Sequence, residues 1–362
     1  MLIEHFRQPI RVLIADDSAV MRSALSRLLQ SDKDIKVIGL AKDGLNALQQ
    51  VRTLDPDVVT LDVEMPVMNG LEALDRIMHE NPRPVIMFSS LTEEGAEATL
   101  DALALGAFDY VPKPAGYAGA HGVRDELIAK VKAAYASRAR LGASAVHAAS
   151  FTQPPPAPRP APASASISLV AIGCSTGGPA ALHRILPMLP GDFPAPLLVV
   201  QHMPPGFTTP FARRLNGLCQ LKIEEASQGQ ALEPGTVSIA PAGWQITVQR
   251  RGVSLTASLS KEPAGVMHIP SVDVMMLSVA EVCGRHALGV ILTGMGSDGE
   301  HGMRALYSCG AMTIGQDERT CAVYGMPRAC AEQGTLRKVL PLDAIPIELV
   351  ALTSALVRES SK

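Results

Sequence analysis

The chain has 362 residues, 47% of them hydrophobic and 19% charged, with a formal net charge of −3. That length suggests two or three domains with enough apolar material for real cores. The small net charge gives no field that favours nucleic acid or an anionic membrane, and no apolar run approaches the roughly 18 residues of a spanning helix. The N-terminus MLIEHFRQPIRVLIADD lacks a signal-peptide layout and enters a strand directly. All six cysteines lie at or after Cys174 without a C-x-x-C pair. That pattern points to reduced thiols and a cytoplasmic setting, not to a disulfide or zinc framework.

The first part alternates strands and helices. IRVLIAD reads as a buried strand, and SAVMRSALSRLLQS as a helix with an apolar stripe at Val20, Leu25, Leu28 and Leu29. KVIGLA, DVVTLDV, PVIMFSS and DYVPKP read as strands. GLNALQQVRTL, LEALDRIMHE, AEATLDALALG and RDELIAKVKAAYASRAR read as the intervening and final helices. Five short strands with five helices predict a doubly wound parallel sheet. Asp16 and Asp17 end the first strand, Asp62 the third and Ser89 the fourth, and Lys113 comes after the fifth. All five residues therefore share the carboxyl edge of one sheet, where such folds place their chemistry. Converging carboxylates repel unless a hard cation sits between them, and Mg²⁺ suits an oxygen-only site. A carboxylate beside such a cation and a lysine can accept a phosphoryl group. Strand-end aspartates that only cap helices are the plainer alternative.

Residues 139–166, rich in Ala, Pro and Ser, offer nothing for a core and read as a linker. They separate a domain of residues 8–138 from one of residues 167–360.

The second part opens on ISLVAIGCSTGGP, an apolar strand, a small-residue turn carrying Ser175, and a helix pattern, ALHRILPML. Such a turn suits an exposed nucleophile beside free N–H groups. It equally suits phosphate binding, or a serine that merely caps a helix. APLLVVQHMP places His202 at the end of another apolar run, and LGVILTGMGSDG places Asp298 in a glycine-rich loop after a third. A serine, a histidine and an aspartate beyond three strand ends are the inventory of hydroxyl nucleophile, base and orienting acid. Gly173-Cys174-Ser175-Thr176-Gly177 also fits the nucleophile elbow of α/β-hydrolases, but those enzymes run Ser, Asp, His and this chain runs Ser, His, Asp. That family is rejected and only its mechanics are kept. Cys174, the rival nucleophile, is expected to point into packing. VSIAPAG, WQITVQR and GVSLTAS look antiparallel. SVDVMMLSVAEVCG comes next as a helix capped by Ser271, then the strand AMTIGQD, the edge strand LRKVLPL and a terminal helix IPIELVALTSALVRES. The fold expected is α/β, mostly parallel, with a β-hairpin.

IADDS, LDVEMPVMNGLE, MFSSLT and DYVPKP together resemble a response-regulator receiver domain over roughly residues 10–135. The resemblance implies phosphorylation of Asp62 by a histidine kinase and Mg²⁺ held by Asp17 and Asp62, with Asp16 acting through water. It also implies Ser89 as switch hydroxyl, Tyr110 as switch aromatic and Lys113 as the phosphate-binding lysine. IGCSTGG, QHMPPGFT, SVDVMM, LTGMGSDG and AVYGMP resemble the catalytic domain of chemotaxis receptor-glutamate methylesterases over roughly residues 168–355. That resemblance implies Ser175 as nucleophile, His202 as base and Asp298 as orienting acid, with Thr176 and the backbone of Met295 contributing to the oxyanion site or its shape. It further implies methyl-ester hydrolysis on chemoreceptors, with deamidation of glutamine by the same acyl intermediate and no cofactor for the esterase. A receiver covering the esterase site until phosphorylated is part of the same implication. His301 lies outside the motif and reads as a surface helix residue. The alternatives are a non-catalytic output domain acting as a partner-binding scaffold, and a DNA-binding output. The charge balance and the absence of a short basic recognition helix disfavour the latter. No membrane insertion is expected.

Overall fold

The computed structural model describes residues 8–90, 92–113, 120–144, 167–263 and 265–354. The chain divides into two units, residues 1–150 and residues 151–362.

In the first unit, five strands, β1 (Ile10–Ala15), β2 (Ile35–Ala41), β3 (Val58–Asp62), β4 (Val85–Ser89) and β5 (Asp109–Pro112), form one sheet in the order β2-β1-β3-β4-β5. Every pairing is parallel. The helices are α1 (Ala19–Gln30), α2 (Gly44–Leu54), α3 (Gly70–Glu80), α4 (Glu93–Ala104) and α5 (Ala120–Ser144). The first four start where a short polar side chain accepts a backbone N–H: Ser18 from Met21, Asp43 from Asn46, Asn69 from Glu72 and Thr92 from Gly95. β3 and β4 are buried along their whole length, as strands covered on both faces must be. Two expectations are corrected. Leu25 and Leu29 of α1 are buried, but Val20 is 68% exposed, because the packed stripe runs through Met21, Leu25 and Leu29 at i, i+4 and i+8 and Val20 lies off it. Helix α5 runs on to Ser144, six residues into the stretch read as linker, where alanines favour helix. The rest of that stretch, residues 145–166, lies outside the described residues.

The second unit is a seven-stranded sheet ordered β15-β14-β13-β6-β7-β10-β8, again with every pairing parallel. Its strands are β6 (Leu169–Cys174), β7 (Leu197–Gln201), β8 (Lys222–Glu225), β10 (Thr236–Ile239), β13 (Ala287–Ile291), β14 (Met312–Gln316) and β15 (Lys338–Leu340). A small antiparallel sheet holds β9 (Ala231–Leu232), β11 (Gln245–Arg251) and β12 (Ser254–Ser260). Against expectation, the run VSIAPAG is not antiparallel; it is β10, paired in parallel between β7 and β8, and only β11 and β12 form the hairpin. Helices α6 (Gly178–Ile185), α7 (Thr208–Asn216), α8 (Val272–Cys283), α9 (Glu300–Ser308), α10 (Met326–Glu332) and α11 (Ala344–Ser354) complete it. β6, β7 and β13 are buried at every residue and lie adjacent at the centre of the sheet. Chain order reverses at β6: the chain proceeds through β7 on one side and returns through β13 on the other. Such a switch point leaves a crevice beyond the carboxyl ends of the strands. Among the described residues no helix is long and apolar enough to cross a membrane.

Candidate active site and acidic cluster

Ser175, His202 and Asp298 lie just beyond β6, β7 and β13, the three strands around the reversal. Ser175 is half-buried in the turn between β6 and α6, its N–H donating to Thr293 O at 3.1 Å. It does not cap the helix. Gly177 does, at φ +76°, where a β-carbon would stand 2.5 Å from that of Ala322. This glycine lets the turn close tightly enough to leave the serine at its apex.

His202 Nε2 lies 2.8 Å from Asp298 Oδ2, both side chains at most one-tenth exposed. The other ring nitrogen, Nδ1, is buried without a hydrogen-bond partner among the described residues. One face of the ring is stacked on His268, with centroids 4.0 Å apart and planes 16° from parallel. Asp298 is held from the start of α8: Ser271 Oγ donates to Oδ1 at 2.8 Å, Val272 N to Oδ2 at 2.8 Å and Asp273 N to Oδ1 at 3.0 Å. Burial pushes the Asp298 carboxyl up, but His202 and these donors outweigh it and hold the pKa down to about 2. The helix start adds its own preference for negative charge. Burial, with His202 beside it, holds His268 below the ordinary imidazole range. An ionised acid bonded to Nε2 fixes the ring's proton there and leaves the Nδ1 lone pair as the basic one.

The remaining residues singled out from the sequence lie as follows. Thr176 is buried, its carbonyl accepting from Thr293 Oγ1 at 2.9 Å, and Met295 is half-buried in the loop that carries Asp298. Cys174 is fully buried, its Sγ 3.7 Å from Val200 O, and burial drives its thiol pKa far up, as expected of a packing cysteine. His301 is an exposed residue of α9 whose Nδ1 lies 3.2 Å from Asp273 Oδ2. Three contributors were not anticipated: Gln201, His268, and Ser271 in its second role as a donor to Asp298. The QH and MHIPS strings carry them, but no local pattern reveals a partner that only the fold supplies.

In the first unit, oxygens of Asp16, Asp17 and Asp62 come within 4.8 Å of one another, at the β1–β3 reversal of the sheet. Lys113 Nζ lies 2.7 Å from Asp62 Oδ2 and 3.6 Å from Asp16 Oδ2. Burial raises the Asp62 carboxyl to about 6 against the pull of Lys113, and raises Asp16 as well. Asp16 Oδ2 is buried with no hydrogen-bond partner among the described residues. An all-oxygen donor set with an orphaned buried carboxylate oxygen fits a hard divalent cation. Ser89 is fully buried, its hydroxyl donating to Gly95 O at 2.8 Å. Tyr110 is buried, with Lys130 Nζ 5.1 Å from its ring centroid. Lys130 also pairs with Asp109 at 3.3 Å and Glu126 at 2.8 Å.

Two parallel sheets, one with an acidic pocket at its reversal and one with a serine and a histidine–aspartate pair at its own, define a receiver joined to a hydrolase-like α/β domain. Comparison with known families gives the same division. Residues 12–119 match the response regulator receiver domain and residues 170–349 the CheB methylesterase family. A protein-glutamate methylesterase/protein-glutamine glutaminase of Symbiobacterium thermophilum is 48% identical, covering 94% of this chain and 96% of its own. One from Desulfitobacterium hafniense is 44% identical, covering 95% and 97%. The crystal structure of the Thermotoga maritima CheB methylesterase catalytic domain superposes with a TM-score of 0.51 at 40% identity, over 52% of this chain and all of that one. The chain belongs to the receiver-linked CheB methylesterase family.

Proposed function

We propose that the chain is a phosphorylation-activated hydrolase of glutamyl methyl esters on chemoreceptors, releasing glutamate and methanol during chemosensory adaptation in the cytoplasm. The observation that carries the chemistry is the His202 Nε2–Asp298 Oδ2 bond with His202 Nδ1 left unpartnered beside it. Nδ1 takes the proton of Ser175 Oγ as the oxygen attacks the ester carbonyl. The N–H groups of Thr176 and Met295 are assigned to the oxyanion. The protonated ring then gives its proton to the departing methoxide, and methanol leaves. Water, deprotonated by the same nitrogen, cleaves the acyl-serine and restores the hydroxyl. Asp298 holds the ring's orientation and balances its charge while it carries the second proton. Glutamine fits the same sequence with ammonia as leaving group. No step calls for a metal or organic cofactor in this unit.

The receiver is assigned the control of that activity. Asp62 is the phosphoacceptor, Asp16 and Asp17 join it in holding Mg²⁺, and Lys113 pairs with the incoming phosphoryl group. The cation, when bound, neutralises charge between phosphate and carboxylates. Ser89 and Tyr110 are assigned as the residues that respond to the phosphoryl group. A histidine kinase supplies it, and phosphorylation relieves a restraint on the esterase. The stretches 8–138, 139–166 and 167–360 are read as receiver, linker and catalytic domain, with α5 carrying the first unit's last helix six residues into the middle stretch. Methanol release from methylated receptor membranes, measured with and without acetyl phosphate and Mg²⁺, tests both halves. Release that rises with phosphodonor is expected. No release under either condition would leave the scaffold reading in its place.

A further inference from the structure

We infer that Gln201 is a positioning residue that fixes the nucleophile and the base relative to each other; the inference rests on Ser175, His202 and Asp298 acting as a triad. The last rung between β6 and β7 is His202 N to Cys174 O at 3.1 Å. Beyond it the two chains diverge, carrying Ser175 and His202, and no strand pairing fixes their separation. Gln201 spans the gap with one group: its Nε2 donates to Ser175 O at 3.0 Å and to His202 O at 2.9 Å. Both partners are acceptors, so only the nitrogen can face them. The amide oxygen is thereby turned inward, where Oε1 is buried without a partner among the described residues. The residue is 2% exposed.

Leaving a buried acceptor unpaired costs about 1–3 kcal/mol, and an apolar side chain of the same shape escapes that cost. An apolar side chain would, however, strip His202 O of this donor, so stability is near balance and the amide's distinct contribution is geometric: one nitrogen ties Ser175 O to His202 O. Gly178 belongs to the same device. Its N–H donates to Ser175 O at 2.8 Å, and a β-carbon there would stand 2.0 Å from Gln201 Oε1. Only glycine lets the amide reach both carbonyls.

The test uses the full chain with phosphodonor and methylated receptor membranes. Gln201→Met keeps volume and loses both donations. The expected result is a fall in kcat of about 10²-fold, the cost of a misplacement near 1 Å. KM should stay within about twofold, because substrate contacts are untouched. Labelling of Ser175 by a fluorophosphonate should slow in proportion to kcat, while the thermal midpoint changes little, because loss of the orphaned oxygen offsets loss of the donor to His202 O. Gln201→Glu, which sets oxygens against both carbonyls, should lose activity likewise and serves if the methionine variant does not fold. A kcat within about threefold of wild type in either Gln201 variant, with Ser175→Ala inactive in the same assay, overturns the positioning role. A fully active Ser175→Ala overturns the triad reading instead.

Discussion

The two reversal points of this molecule share a plan and differ in how complete they are. Each gathers carboxylates at the carboxyl edge of a parallel sheet. In the esterase unit Asp298 meets four partners, His202, Ser271, Val272 and Asp273, and its pKa is held down to about 2. In the receiver unit Asp16 keeps a buried oxygen with no hydrogen-bond partner among the described residues, only Lys113 Nζ at 3.6 Å, and Asp62 is pushed up to about 6 despite Lys113. Burial acts on both in the same direction. The difference is how many donors the chain supplies to the charge: four to Asp298, against Lys113 and Glu64 N for Asp62 and Ser18 N for Asp16. A site whose charges are satisfied internally is preorganised for catalysis, since nothing must rearrange as charge develops. A site whose charges are less satisfied suits something external, the role that the proposed cation and phosphoryl group would fill. On the proposed function, one unit does the chemistry and the other receives the signal.

The sharpest break of that comparison is Ser175→Ala. It removes the attacking oxygen and leaves every partner of Asp298 in place, so the fold should be unchanged. Loss of about 10⁶-fold in methanol release is expected by the precedent of other triads. Retention of more than about a hundredth of the activity would mean another nucleophile.

Asp298→Asn probes what makes the esterase site complete. The amide keeps the shape, but its NH₂ would face either the donors Ser271 Oγ and Asp273 N or the donors His202 Nε2 and Val272 N, and it cannot balance an imidazolium. A fall in kcat of about 10³- to 10⁴-fold is expected. A near-normal rate would reduce Asp298 to a turn residue.

Asp62→Asn tests the other side. It should abolish stimulation by acetyl phosphate and leave basal hydrolysis intact, because the change lies in a unit that does no ester chemistry. Chelation of Mg²⁺ should act on the wild type in the same way. Stimulation surviving in this variant would place the phosphoacceptor elsewhere. Basal activity falling on chelation would give the cation a role in the esterase, where the triad chemistry has none for it.

The strand ends were legible because a buried parallel strand is a continuous apolar run, and the residues just past its carboxyl end all lie at one edge of the sheet. Ser175, His202 and Asp298 could be placed that way, as could Asp16, Asp17 and Asp62. Direction was less legible. VSIAPAG has the composition of a strand, but nothing local says it enters a parallel sheet between β7 and β8. Val20 reads as part of a helical stripe, yet the stripe that packs is Met21, Leu25 and Leu29, spaced by four, and Val20 lies off it and is exposed. The stretch after residue 138 has a composition in which alanine counts for linker and helix alike, and α5 takes six of those residues. The second ring of the site was illegible for a different reason. Gln201, His268 and Ser271 act through partners 26 to 66 positions away in sequence or through stacking, contacts that exist only once the sheet has formed.

Ser271→Ala is the finest test of the comparison, because it removes one of Asp298's donors and leaves the other three partners. Two contacts are lost. The hydroxyl no longer donates to Asp298 Oδ1 at 2.8 Å, and its oxygen no longer accepts from Val274 N at 3.4 Å as the cap of α8. Loss of the cap should lower stability by about 1 kcal/mol. Asp298 Oδ1 keeps Asp273 N at 3.0 Å, so the carboxylate stays ionised and oriented. A hydrogen bond to a charged group contributes about 1.5–3 kcal/mol, and with a second donor remaining only part of that reaches the transition state, so kcat should fall by less than about tenfold. Ser271→Thr, which keeps both roles, should restore the rate. A loss as large as that of Asp298→Asn would mean that the carboxylate's completeness hangs on this single hydroxyl and that the two backbone donors from α8 do not sustain it.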